Sequence, residues 1–153
     1  MNFLPEDSDI DYTASALIIQ DGEILFIDHE KLGKWLQPGG HIDENETPDQ
    51  AARREVREET GLEIDFIEGS QPESFSIEED LPRPFHVNIH RIRDGHLHCD
   101  FMYLATVVAE GEATHGHEHS GLKWFSRSEL KDEELRMPDN VRRTALKALD
   151  ENR

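Results

Sequence analysis

The residues best suited to chemistry in this chain are three carboxylates, Glu55, Glu58 and Glu59, preceded by Arg54 and lying downstream of Gly40 and Glu46. On a helix the three acids fall within about a third of a turn and so share one face. Carboxylates three and four residues apart repel one another unless something cationic lies between them. A hard divalent ion answers that need, because Mg2+ and Mn2+ prefer oxygen ligands and keep waters that a catalyst can use. Arg54 precedes Glu58 by four residues, the spacing of a one-turn ion pair. In so acidic a chain a glutamate-rich face is also what a plain solvated surface presents, so the acids need supporting residues around them.

The elements that would position them are legible. Thr47 as N-cap, Pro48 at the first helical position, Gln50 completing a capping box and Gly61 past the end predict a helix over 48–60. Ala52 and Val56 form an apolar stripe that docks this helix and leaves the acids at the edge of a cleft. Upstream, apolar runs at 15–19 and 23–27 flank Asp21-Gly22, a hairpin signal, and 34–40 reads as a loop leading into a short strand through paired glycines. Further strands are predicted at 62–67, at 85–90 as a half-exposed alternation of Phe85, Val87 and Ile89, at 101–109 as a central strand, and at 122–125. A helical turn at 126–130 and a terminal helix at 138–149, with Val141, Ala145, Leu146 and Leu149 on one side, complete the set. The mixed order of elements predicts an α/β sandwich with a central mixed β-sheet and helices on both faces.

Length and charge bound the remainder. The chain has 153 residues, 34 acids against 16 lysines and arginines, and a net charge of −18. That length supports one compact domain, expected over 13–153 after a loosely held acidic segment at 1–12. No apolar run reaches the roughly 18 residues of a membrane span and the first residues are acidic, so a cytoplasmic protein without membrane association is expected. Cys99 is the single cysteine and reads as a buried thiol. Nucleic-acid backbones would be repelled by most of this surface. A surface adapted to high salt is the reading of the charge, since counterions screen self-repulsion. Its expected signature is a melting temperature that rises with KCl concentration; equal stability in dilute buffer would contradict it.

Outward from the acids, Gly40, five residues, Glu46, seven residues and then Arg54-Glu55-Val56-Arg57-Glu58-Glu59-Thr60-Gly61-Leu62 resembles the Nudix box at every defined position. The preceding Trp35-Leu36-Gln37-Pro38-Gly39-Gly40 and the later Trp124-Phe125-Ser126-Arg127-Ser128-Glu129-Leu130 are similar to the same family. The resemblance implies the Nudix fold and hydrolysis of nucleoside diphosphates linked to another moiety, with Mg2+ or Mn2+ as cofactor. It implies that Glu58 and Glu59 are metal-binding carboxylates, that the Gly40 carbonyl joins them, and that Glu55 binds metal or activates water. It further implies that Arg54 orients the acids, that Glu46 is structural or an additional ligand, and that Gly61 closes the motif. A further ligand from a loop before the tryptophan strand is expected, with Glu118 first and Glu112 second. Homodimerisation, common in the family, is a further expectation.

The expected reaction is attack of a metal-activated water on phosphorus. A polyanionic substrate must find local positive charge in so acidic a protein, and Arg83, Arg91 and Arg93 are the candidates, with His98 and Asp100 at the mouth of the central strand. Ser70-Gln71-Pro72 and Phe75 partly resemble the signature of dinucleotide pyrophosphatases in the family, without its other residues. The nine histidines, including His96, His98, His115, His117 and His119, read as exposed polar positions at strand ends and in a loop rather than a metal site, since no zinc-finger spacing is present. Two rival functions rank lower. A noncatalytic nucleotide sensor would be expected to have lost box acids, and an isoprenoid diphosphate isomerase would need a suitably placed catalytic cysteine that Cys99 does not offer.

Overall fold

The computed structural model describes residues 7–67, 77–108 and 119–152. Among the described residues the strands are β1 (Asp9–Gln20), β2 (Glu23–His29), β3 (Lys34–Leu36), β4 (Gly39–His41), β5 (Ile64–Phe66), β6 (His86–Arg93), β7 (His96–Val107) and β8 (His119–Phe125). The helices are α1 (Pro48–Thr60), α2 (Arg127–Leu130) and α3 (Asp139–Glu151).

β1 and β7 run parallel at the centre, in register from Asp9 opposite His96 to Ile18 opposite Ala105. The far edge of β7 is taken by β6 and then β5, both antiparallel. The far edge of β1 is taken by β4, with Ala14 opposite Gly40, and then by β2. β2 in turn pairs with β3 and β8. The β1–β2 turn places both Asp21 (φ 52°) and Gly22 (φ 77°) in the left-handed region, the geometry whose twist matches a two-residue hairpin.

Alternate residues of the central strands feed two apolar layers. Ala14, Ala16 and Ile18 join Tyr103 and Ala105 beneath Ala51, Ala52 and Val56 of α1. Leu17, Ile19, Met102 and Leu104 pack on the other face against Val141, Ala145, Ala148 and Leu149 of α3. The expected sandwich with helices on both faces is therefore the observed architecture. Ala148 joins the buried side of α3, while Leu146 is only partly buried.

Several expectations are corrected. Residues 9–12 are not a loose leader: β1 begins at Asp9, and Asp9 and Ile10 pair with His96 and Leu97. β5 is shorter than the run 62–67, because the Leu62 N–H donates to Thr60 Oγ1 at 3.1 Å and so belongs to the helix end. β6 is exposed along both faces and not on one alone, with Val87 at 47% and Ile89 at 41% on the expected apolar side. β7 starts at His96, five residues before the predicted central strand. Cys99 is half-buried rather than buried, and burial, then the Asp100 charge, raises its thiol pKa.

Candidate active site

The acids sit where the sequence placed them because α1 has well-formed ends. The Thr47 N–H donates to Gln50 Oε1 at 3.0 Å, and Gly61 closes the helix with φ 75°, donating its N–H to the Arg57 carbonyl at 2.9 Å. Gly61 is placed there by the left-handed backbone, which a glycine adopts without penalty. Thr60 is fully buried and donates its hydroxyl to the Val56 carbonyl. The last turn, which carries Glu58 and Glu59, is thereby fixed.

β4 brings the glycines to these acids. The Gly39 N–H donates to Glu59 Oε1 at 3.0 Å. A side chain at Gly40 would meet Glu55 directly, its Cβ lying 2.4 Å from Oε1 and 2.6 Å from Cδ. The Glu55 carboxylate therefore occupies the space that the missing Cβ leaves. Gly39 is glycine for a different reason: its Cβ would lie 2.6 Å from the Ala14 carbonyl oxygen and from Ser15 Cβ, so close pairing of β4 on β1 requires its absence.

Arg54 organises the rest. Its Nε donates to Glu46 Oε2 at 2.8 Å and its Nη2 to Glu46 Oε1 at 3.0 Å and to the His41 carbonyl at 2.9 Å. Its Nη1 reaches Glu55 Oε1 at 3.0 Å and Glu58 Oε2 at 3.3 Å. Hydrogen bonds to Glu46 first, and then to Glu55, raise the guanidinium pKa further above its ordinary range, with burial opposing them. The same bidentate bond holds the Glu46 carboxyl below the usual carboxylate range, burial opposing and the Asp43 N–H assisting. Glu55 and Glu46 side chains are only 16% and 15% exposed, whereas Glu58 is 58% exposed. Glu58 therefore lies at the mouth and Glu55 at the floor.

The Glu46–Arg54 pair yields a pH prediction. A lowered folded pKa contributes stability that is present above the unfolded value, here 4.5, and lost as pH falls through the folded one. Arg54→Gln should therefore cost about 1–3 kcal/mol at neutral pH, the range of a lost hydrogen bond to a charged group. The deficit should shrink as pH falls from that value through the lowered folded pKa, below which Glu46 is protonated in both states. Urea unfolding of both proteins at about pH 7 and about pH 3 checks it.

The donor set fits a hard divalent cation. Two carboxylates, Glu55 and Glu59, close on the Gly39–Gly40 backbone, a third stands at the rim, and the Gly40 cradle admits a carboxylate only because no Cβ fills it. An all-oxygen set of this kind suits Mg2+ or Mn2+.

Other expected site residues are dispersed. Arg83 lines a cavity with Ile67, Phe85, Leu104 and Glu151 on the α3 face. Arg91 lies on exposed β6 and pairs with Asp94 at 3.6 Å, and Arg93 is exposed opposite His96. Leu104 and His98 are separated by six residues of β7, about 20 Å of strand, so these arginines do not form one anion site. Asp100 is corrected from substrate contact to core: it is 6% exposed, accepting from Thr13 Oγ1 at 2.9 Å on Oδ1 and from Ser15 Oγ at 2.7 Å on Oδ2. It pins β7 to β1. His98 is half-buried and surrounded by other histidines instead of standing exposed at a strand end. Glu118, Glu112, His115, His117 and the 70–75 segment lie outside the described residues.

Comparison with known proteins identifies the fold and the family. The family model for the NUDIX domain matches residues 10–146. A solved hydrolase of the NUDIX family from Clostridium perfringens superposes with a TM-score of 0.79 at 32% identity, over 92% of this chain and 96% of that one. The MutT protein from Methanosarcina mazei Go1 has the same fold, with a TM-score of 0.72 at 21% identity over 97% and 99% of the two chains. An RNA pyrophosphohydrolase of Erythrobacter litoralis (strain HTCC2594) is 41% identical over 56 residues, which are 37% of this chain and 34% of that protein. The matched stretches amount to 18% of one curated relative's length and 39% of another's. With the family model running from β1 into α3 and the acid-bearing helix set against its glycine strand, the chain belongs to the Nudix hydrolase family.

Proposed function

We propose that this protein is a divalent-metal-dependent hydrolase that cleaves a phosphoanhydride bond in a nucleoside diphosphate linked to another moiety, by attack of water on phosphorus. The observation that carries this reading is the closure of Glu55 and Glu59 on Gly39 and Gly40 of β4, with Arg54 holding Glu55 and Glu58 on one side. Held by the Gly40 carbonyl, Glu58 and Glu59, Mg2+ or Mn2+ would supply charge neutralisation at the phosphate oxygens and a lowered pKa for its water.

The chain's own residues supply position. Glu55 is fixed between Gly40 and Arg54 and acts as acceptor for the proton of the attacking water, a role that requires hydrogen-bond reach more than a tuned pKa. Glu59 is positioned by the Gly39 N–H, which donates to its Oε1. Glu46 takes no part in the chemistry and acts through Arg54. A noncatalytic sensor would not need three acids in this geometry, and the half-buried Cys99 thiol has a raised pKa unsuited to isomerase chemistry.

The substrate we propose is a small molecule. A relative carries the name RNA pyrophosphohydrolase, but the −18 net charge of this chain works against a polyanionic polymer. The test is a panel of nucleoside triphosphates, ADP-ribose, nucleotide sugars, dinucleoside polyphosphates and a 5′-triphosphorylated RNA oligonucleotide. Each is assayed at high salt with Mg2+ or Mn2+ and again with a chelator. Turnover of a small nucleotide that the chelator abolishes is the expected result. No turnover with either metal, or turnover indifferent to the chelator, would refute the proposal, and turnover of the RNA alone would refute its substrate.

A further inference from the structure

On the sheet face opposite α1, three strands bring a second set of metal-ligating groups together. Gly40 faces Glu55 of α1, so strand alternation turns the next residue, His41, to the other side. There His41 Nε2 lies 3.3 Å from Asp11 Oδ2, and His96 Nε2 lies 3.3 Å from the same oxygen. Asp11 is the direct cross-strand partner of His98. One ligating atom from each of Asp11, His41 and His98 falls within 4.8 Å of the others. The His98 ring is 5.2 Å from those of His41 and His96 and 5.7 Å from that of His90, whose own Nδ1 lies 3.2 Å from Asn88 Oδ1.

Hydrogen bonding alone explains this cluster poorly. Bonds between a carboxylate and a cationic nitrogen settle at about 2.7–2.9 Å, and both of the Asp11 contacts are longer. Four ligands at about 2.0–2.1 Å from a tetrahedral ion stand about 3.3 Å from one another, which is the separation Asp11 already keeps from His41 and His96. The groups also stand on β1, β4 and β7, elements rigid enough to preserve a site.

We propose that Asp11, His41 and His98, with water completing the coordination, form a second metal site that takes a borderline divalent ion such as Zn2+. Its nitrogen-rich donor set discriminates against Mg2+, which demands oxygen, so the two sites sort metals by chemistry. The ion would tie the start of β1 to β4 and β7, on the sheet face opposite the one that Gly40 turns to Glu55.

The test is Zn2+ titration against a chromophoric chelator in millimolar Mg2+, on wild type and on His41→Ala, His98→Asn and Glu59→Gln. Co2+ replaces Zn2+ in a parallel visible-absorption measurement. Wild type and Glu59→Gln should bind one equivalent of Zn2+ with micromolar or tighter affinity, show tetrahedral Co2+ bands, and melt at higher temperature with Zn2+. His41→Ala and His98→Asn should lose at least about 100-fold in affinity, together with the bands and the melting shift. His41 is mostly exposed, so its replacement leaves the fold intact. Wild type that binds no Zn2+, or His41→Ala that binds it as wild type does, would overturn the proposal. A loss of the tight site in Glu59→Gln would do the same by assigning the ion to the acids of α1.

Discussion

Glu59→Gln is expected to lower kcat by about 10²–10⁴-fold, the range in which single positioned charged groups contribute to catalysis, while leaving the fold as stable as before. The substitution keeps the volume of the side chain, and an amide oxygen can still accept from the Gly39 N–H that Glu59 Oε1 now accepts at 3.0 Å. What it removes is the negative charge, and with it the attraction for a hard cation. Steady-state kinetics across Mg2+ concentrations separates the two effects: the variant should also need far more Mg2+ to reach half its maximal rate. Activity undiminished in Glu59→Gln would exclude the metal role assigned to this acid.

Gly40→Ala is expected to separate activity from stability in the same direction by a steric route. The new Cβ would lie 2.4 Å from Glu55 Oε1 and 2.6 Å from its Cδ, a distance no real contact sustains. Glu55 is a flexible side chain held at its end by Arg54, so the carboxylate moves and the strand stays. Displacing a reacting group by about 1 Å costs about 10²-fold in rate, and the stability loss should stay within the lower part of the about 1–3 kcal/mol that overpacking costs. Gly39→Ala is the contrasting substitution, since its Cβ would strike the Ala14 carbonyl and the Ser15 backbone. Neither atom can move without breaking the β1–β4 pairing. Thermal unfolding and kcat measured side by side should show Gly40→Ala folded and slow, and Gly39→Ala unstable. A fully active Gly40→Ala would mean that Glu55 works without the space this glycine leaves for it.

The parts of this site that could be read from sequence are those fixed by local interactions. Helix α1 runs from Pro48 to Thr60 as its capping residues predict, because Gln50, Pro48 and Gly61 act within a turn of the ends they define. The β1–β2 hairpin follows from Asp21-Gly22 for the same reason. The Arg54–Glu58 contact was legible as a one-turn pair, yet the stronger bonds of Arg54 go to Glu46 eight residues away and to the His41 carbonyl thirteen away. Those depend on where the loop before α1 returns.

What was not legible is what the parallel β1–β7 pairing creates. Nothing in the sequence near Asp100 announces that Thr13 and Ser15, more than 80 residues earlier, will supply both of its hydrogen-bond donors. Residues 9–12 have the composition of a loose leader because Asp9 and Asp11 are polar, and they are a strand because β7 offers them an edge. The same register places Asp11 opposite His98. Alternation along 96–100 does signal that His96 and His98 share a face, but only the fold adds His41, thirty residues from Asp11.

Whether the α1 acids and the glycines of β4 direct water onto phosphorus is decided by hydrolysis in 18O-labelled water. Wild type and Glu59→Gln are compared with Mg2+ on a nucleotide that wild type turns over. One labelled oxygen is expected in a phosphate-bearing product of the wild-type reaction, with a rate of labelling at least about 100-fold lower in the variant. Product phosphates free of label, or equal labelling rates in the two proteins, would contradict the assigned chemistry.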